Sequence, residues 1–237
     1  MIFSPSRRVK NNTTKHTLQN VLEVPEVVIN ICDYDMVQQV SLSSCEYPKG
    51  VDEFIKAGFT KEIASLVKPP MVKESKVKLE CRVNEVKSLG ETNGSGQLIM
   101  AEVLRMHVNE SILNKEGSMI DQQKLHLIAR LGGDWYSVVN KNNLFKVEKP
   151  NTQIAIGIDA LPMHIKSSSI LTGNDLGQLA NVNELPTVDT TFNDKKLNDI
   201  IRIETEKKKR EALQKYAKEL LDNEKIYAAW QVLLADN

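Results

Sequence analysis

The strongest constraint on this chain is a pair of long alternating stretches in its first half. Residues 76–87, KVKLECRVNEVK, place Val77, Leu79, Cys81 and Val83 on one face and Lys76, Lys78, Glu80 and Arg82 on the other. A period of two marks a strand with one buried face. Residues 97–108, QLIMAEVLRMHV, predict a second long strand, and residues 90–96 between them form a Gly/Asn turn. Two such strands joined by a turn predict an antiparallel hairpin.

Shorter elements surround it. Residues 26–31, EVVINI, are β-branched and lie between Pro25 and Asp33, which predicts a buried strand. A helix is expected over 15–23, where Leu18, Val21 and Leu22 recur at helical spacing. Residues 34–43 read as a short helix, and helical turns are expected over 51–57 and over 61–67 behind Thr60. HLIAR at 126–130 predicts a further strand, and 135–139 with 144–147 a final hairpin. Several short antiparallel strands with few helices predict a small β-barrel. Composition shifts after Pro150. Helical pieces are expected over 154–161 and 173–180, and residues 193–235 lack Gly and Pro and read as strongly helical. The division expected is therefore a domain over 1–149 and a helical extension over 150–237.

Lys+Arg and Asp+Glu both number 31, so the net charge is zero. Such a chain has no global electrostatic case for binding nucleic acid or an anionic membrane. The Lys/Glu run at 204–211 interleaves both signs and reads as a solvated helix face. The three cysteines, Cys32, Cys45 and Cys81, lack metal-ligand spacing and read as reduced thiols, so no metal site is expected. The chain opens without a charged and apolar leader pattern, and no apolar run approaches membrane-spanning length. A cytoplasmic location is expected.

Two segments carry candidate binding chemistry. The first seventeen residues, MIFSPSRRVKNNTTKHT, run from a short apolar stretch through a polar, cationic loop into a helix. Arg7, Arg8 and Lys15, with Thr14 or Thr17 and free helix N–H groups, could hold a phosphate. From spacing alone, with no Walker or Rossmann pattern, a solvated basic loop with Thr14 as a simple helix cap is the preferred reading. The second segment is Ala129-Arg130-Leu131-Gly132-Gly133-Asp134-Trp135-Tyr136, where two glycines allow close backbone approach to a flat ligand, or make a tight turn. His107 and His126 sit in strands and read as structural residues, and no catalytic acid, base or nucleophile stands out.

Taken in order, PSRRVKNNTTKHTLQN, EVVIN, PKGVDEFIKAGFT, VKPPMVKESKVKLEC, GQLIMAEVLRMHV and LIARLGGDWY resemble the flavin reductase-like proteins, FMN-binding split barrels related to flavoredoxin and ferric reductase. The resemblance covers about residues 1–149. It implies a mainly β fold: an antiparallel split barrel with short helices, here followed by the C-terminal helical extension. It also implies a homodimer, FMN as cofactor, and electron transfer from NAD(P)H through the flavin. The redox chemistry would belong to the flavin, with the protein supplying binding, orientation and electrostatics. Carried onto this chain, Lys15 and Thr17 match a motif that contacts the flavin phosphate, and His16 stands where an Asp is common. Arg8 matches the loop cation, and Ser4 and Ser6 end the strand that lines the flavin. Arg130, Gly132, Gly133 and Tyr136 match a segment near the flavin or the partner subunit. Lys76 stands where Pro is usual, on an expected edge strand. The family places further β structure before the position of Met1, so the chain is expected to begin inside its own barrel. A competing expectation is a flavin-binding or structural barrel without reductase turnover.

Overall fold

The computed structural model describes residues 1–147, 149 and 154–236. The chain separates into two compact units, Met1–Phe145 and Lys146–Asn237. The expected boundary at 149 and 150 falls at Pro150, outside the described residues.

The first unit is organised by the predicted hairpin. Strands β1 (Ile2–Phe3), β2 (Glu26–Asn30), β3 (Lys61–Glu62), β4 (Met71–Val72), β5 (Val77–Ser88), β6 (Gln97–Val108), β7 (Ile128–Arg130) and β8 (Tyr136–Val138) all lie here. A four-stranded antiparallel sheet has the order β1-β6-β5-β2, while β3 pairs with β4 and β7 with β8. Register shifts at Glu80/Cys81 and Val83/Glu85 interrupt the β5–β6 ladder and increase its twist. The expected barrel is not closed. β1 has two residues and pairs only at Ile99 and Met100, so the later part of β6 has no outer strand neighbour among the described residues. β5 lies between β6 and β2, so Lys76 does not lead into an edge strand. It instead bridges Asp33 at 2.9 Å and Asp35 at 2.8 Å.

Helix α1 (His16–Glu23) packs Leu18 and Val21 against Ile99 of the sheet, with Phe3, Val27 and Val83 around them. Each such buried side chain contributes roughly 1.5–3 kcal/mol. Leu79, Cys81 and Ala101 continue this apolar face, as the alternation predicts. The opposite face is not simply solvated, because Glu80 is fully buried. The cause is a strap from Lys61 to Val72 that crosses this face. Glu80 accepts from the Ser65 N–H at 3.1 Å and the Leu66 N–H at 2.6 Å. Glu26 accepts from the Lys68 N–H at 2.7 Å and Asn30 from the Val72 N–H at 3.0 Å. The strap begins with strand β3 where a helical turn was expected over 61–67.

Helices α2 (Val37–Ser43), α3 (Glu53–Ala57) and α4 (Gln122–Leu125) complete the unit. Residues 144–147 form no strand. The last hairpin is β7 with β8, closed by a turn in which Gly133 takes φ +60°, a region that favours glycine.

The second unit is helical: α5 (Met163–Lys166), α6 (Gly173–Ala180), α7 (Lys195–Ile201), α8 (Glu206–Asp222) and α9 (Ile226–Leu234). The stretch expected to be helical over 154–161 holds only a 3-10 turn at Ile158–Ala160. Residues 193–235 divide into three helices, broken at 202–205 and at 223–225, where Glu224 takes φ +60°. Leu213, Ala217 and Leu221 share one core with Leu179, Ala229, Trp230 and Leu233. Helix therefore makes up about 34% of the chain and strand about 20%. The whole is mixed rather than mainly β, because this helical unit outweighs the short strands of the first.

Candidate functional site

The N-terminal loop is built from its own side chains. Asn12 takes φ +55°, a conformation Asn tolerates, and the Arg7 guanidinium donates to its Oδ1 at 2.8 Å and its carbonyl at 2.6 Å. Arg8 Nη1 donates to the Thr14 carbonyl at 2.6 Å and to Thr13 Oγ1 at 3.2 Å. Its Nε lies 3.4 Å from Glu46. The loop is pinned to the β5–β6 turn by the Arg7 N–H on Ser95 and by Asn93 Nδ2 on the Val9 carbonyl. Ser6 bridges Gly96, and Ser4 Oγ lies where a Cβ on Gly96 would stand, at 2.6 Å. Only glycine permits that approach.

This loop delivers the chain into α1. Lys15 is the N-cap, extended at ψ 151°, and caps nothing with its side chain. Thr14 does not cap either; its Oγ1 accepts from Gln19. The His16 and Thr17 N–H groups therefore have no acceptor among the described residues, and Lys15 and Thr17 are exposed. Uncapped N–H groups at a positive helix end, beside a lysine and a hydroxyl, form a donor set for a phosphate. Arg8 reaches the Thr14 carbonyl, next to Lys15 in the chain, and makes no hydrogen bond to Lys15 or Thr17 among the described residues. Ser4 and Ser6 sit at the Gly96 side, with no hydrogen bond to Lys15 or Thr17 among the described residues.

The second set lies on the β7–β8 hairpin. Arg130 faces Tyr136 across the two strands, and its guanidinium lies 5.9 Å from the Tyr136 ring centre. Both line a cleft of about 470 Å³ between the hairpin and α2, with Tyr34, Ser41, Ser44 and Asp134. Gly132 and Gly133 make the turn beyond it, and a Cβ at either would meet nothing within 4 Å. Glu46, the partner of Arg8, follows two residues after Ser44 in the chain, and neither Glu46 nor Arg8 lines the cleft.

Sequence reasoning missed Tyr34, Ser41 and Ser44, which stand some ninety residues from Arg130 and have no shared spacing to betray them. It also missed Glu46 and the role of Glu80. Burial pushes the Glu80 carboxyl up, but the bonds from His107, Leu66 and Ser65 outweigh it and hold the group at about 2. His107 Nε2 lies 2.5 Å from Glu80, a structural use of the histidine.

The first unit is thus an antiparallel sheet domain with a cationic loop that opens onto a helix N-terminus. Residues 5–126 match the Flavin reductase like domain family, and the chain belongs to that family. It is 34% identical over 136 residues to an uncharacterized protein of Aquifex aeolicus, covering 57% of this chain and 66% of that one. Among solved structures it resembles component B of nitrilotriacetate monooxygenase from Bacillus cereus, at 27% identity and TM-score 0.55, over 62% of this chain and 71% of that one. It also resembles a protein described as a flavin reductase with a split barrel domain from Shewanella frigidimarina, at 28% identity and TM-score 0.50, over 56% and 65% of the two chains. No helix among the described residues is long and apolar enough to cross a membrane.

Proposed function

We propose that this chain binds FMN and works as an NAD(P)H-dependent flavin reductase-like oxidoreductase. The observation that carries the reading is the uncapped start of α1, where the His16 and Thr17 N–H groups stand beside exposed Lys15 and Thr17. These groups suit a flavin phosphate: the His16 and Thr17 N–H groups, the Thr17 hydroxyl and the Lys15 cation are neighbours in the chain and have no acceptor or ion-pair partner among the described residues. Arg8 acts as the brace of the loop, since its donors are already given to Thr13 and Thr14. When bound, the flavin supplies the redox chemistry. The protein's part is to hold the phosphate and fix the loop. A homodimer, a cytoplasmic location and the division at 149/150 belong to the same proposal. The dimer is supported by the exposed Leu131, Trp135 and Phe145 of the first unit.

The test is an FMN and riboflavin titration of the full chain and of Lys15→Ala. The expected outcome is FMN binding weakened about tenfold or more by the substitution, the scale of a lost charge-assisted bond, with riboflavin binding unchanged. Equal FMN affinity in both proteins refutes the site. Bleaching of the bound flavin by NADH or NADPH then separates a reductase from a flavin-binding barrel without turnover.

A further inference from the structure

We infer that the second unit carries a binding site for an organic cation: an aliphatic stem that ends in an ammonium or guanidinium group. The site is a cleft of about 390 Å³ between the 184–189 loop and the start of α9, within the range of small-molecule sites, about 300–1,000 Å³. Two carboxylates, Glu184 and Asp189, share its lining with the Tyr227 ring and the apolar Leu185 and Pro186. Glu184 is exposed and makes no hydrogen bond among the described residues. Asp189 accepts from the Thr191 hydroxyl at 2.6 Å, from the Thr191 N–H at 2.8 Å and from the Tyr227 hydroxyl. The bonds from Thr191 and Tyr227 hold its carboxyl below the usual carboxylate range, so it is charged at neutral pH. A carboxylate offers about four acceptor positions, so these three donors leave one open. No lysine or arginine lies within ion-pair distance of either carboxylate among the described residues.

The cleft is preorganised. Tyr227 and Gln231 stand four residues apart on α9 and so share a face. Gln231 is buried; its Oε1 accepts from the Asp189 N–H at 2.8 Å, and its Nε2 donates to the Thr187 carbonyl at 3.1 Å. The loop is thereby fixed at both positions. The Tyr227 ring is held at its hydroxyl by Asp189 and edge-on by Phe192, with centroids 6.1 Å apart and planes at 80°. Tyr227 is still 57% exposed, which leaves aromatic surface open. An aromatic face beside unpaired carboxylates attracts a cation, and the exposed Leu185 with Pro186 suits an aliphatic stem. A bare metal ion is not the fit, because no group of three or more metal-ligating side chains occurs among the described residues. Every lining residue belongs to the second unit, so the inference does not rest on flavin binding by the first.

The experiment is a ligand-observed NMR titration of the full chain at low salt with agmatine, with acetyl-Gly-Arg-Gly-amide and with 1,4-butanediol as the uncharged stem. It is repeated on Glu184→Gln, on Tyr227→Leu and on the double variant. The expected result is saturable agmatine binding that weakens about twofold to fivefold in each single variant, the scale of an exposed ion pair or cation–π contact, and about tenfold in the double. Butanediol is expected to bind far more weakly. Agmatine binding without peptide binding identifies a free small cation as the ligand; peptide binding as tight as that of agmatine identifies an arginine side chain. Either outcome supports the site. It is overturned if neither cation binds saturably, or if butanediol binds as tightly as agmatine. It is also overturned if a single variant that circular dichroism shows to be folded binds the cation as the full chain does. Glu184 is exposed and unbonded, so Glu184→Gln keeps the fold and decides the matter even where Tyr227→Leu does not fold.

Discussion

Replacing Glu80 by Gln tests whether a buried carboxylate holds the strap on the sheet. Glu80 is fully buried and accepts from two backbone N–H groups and from His107. Burial alone raises its carboxyl, and these donors bring it down from 4.5 to about 2. A carboxyl that is more acidic in the folded chain stabilises the fold above its unfolded value and loses that contribution as pH falls toward the folded one. At about 1.4 kcal/mol per pH unit, the contribution is about 3 kcal/mol at about pH 7 and about 1 kcal/mol at about pH 3. Glu80→Gln removes the charge and turns an amide NH₂ toward groups that already donate. The assay is denaturant unfolding of both proteins at the two pH values, with hydrogen exchange read on the peptide that contains Ser65 and Leu66. The expected outcome is a destabilisation that shrinks by about two thirds at the lower pH, with fast exchange in the strap. An equal destabilisation at both pH values, or unchanged exchange at Ser65 and Leu66, refutes an ionised Glu80 as the anchor.

Two further substitutions probe other parts of the chain. Glu46→Gln removes the carboxylate 3.4 Å from Arg8 Nε; because Glu46 is exposed and solvent screens it, FMN affinity should rise only about twofold to fivefold. Titration at low and high salt checks this, since the gain should fade as salt screens the pair. Trp230→Ala empties the centre of the second unit, where the indole is 1% exposed and its Nε1 donates to the Leu179 carbonyl at 3.2 Å. The expected cost is about 3–5 kcal/mol, read as an early loss of helical circular dichroism, and a change below about 1 kcal/mol would contradict a fully packed indole.

The main hairpin was legible because alternation over twelve residues has one interpretation, and β5 and β6 lie where it predicts. The alternation misleads at one position. Glu80 falls on the polar face, but that face is covered by a strap whose N–H groups meet the carboxylate, a long-range event with no local signature. The strap itself read as helical because Ile63, Ala64 and Leu66 follow a possible cap; tertiary bonds to Glu26, Asn30 and Glu80 override that local preference. Of the site, the cationic loop was legible as a cluster of donors. That Arg8 spends its guanidinium on Thr13 and Thr14 was not, because it depends on a turn in which Asn12 adopts φ +55°.

Where backbone N–H groups converge in the first unit, the chain usually provides an acceptor. Asp33 accepts at the 3-10 turn that leads into α2, Asp52 at α3 and Asp121 at α4. Glu80 does the same for the strap. Each pairs a short anionic or polar side chain with donors that would otherwise be costly to leave open. At α1 the same position is held by Lys15, which can donate but cannot accept. A lysine there adds a positive charge to the positive end of the helix, which is unfavourable for the isolated chain. An anion supplied from outside reverses that sign, because it meets the N–H groups and the lysine at once. The local cost of Lys15 without ligand is therefore one term that a bound phosphate would relieve. Lys15→Asp should then stabilise α1 in the absence of ligand while abolishing phosphate binding, and a loss of stability in that variant would contradict this account.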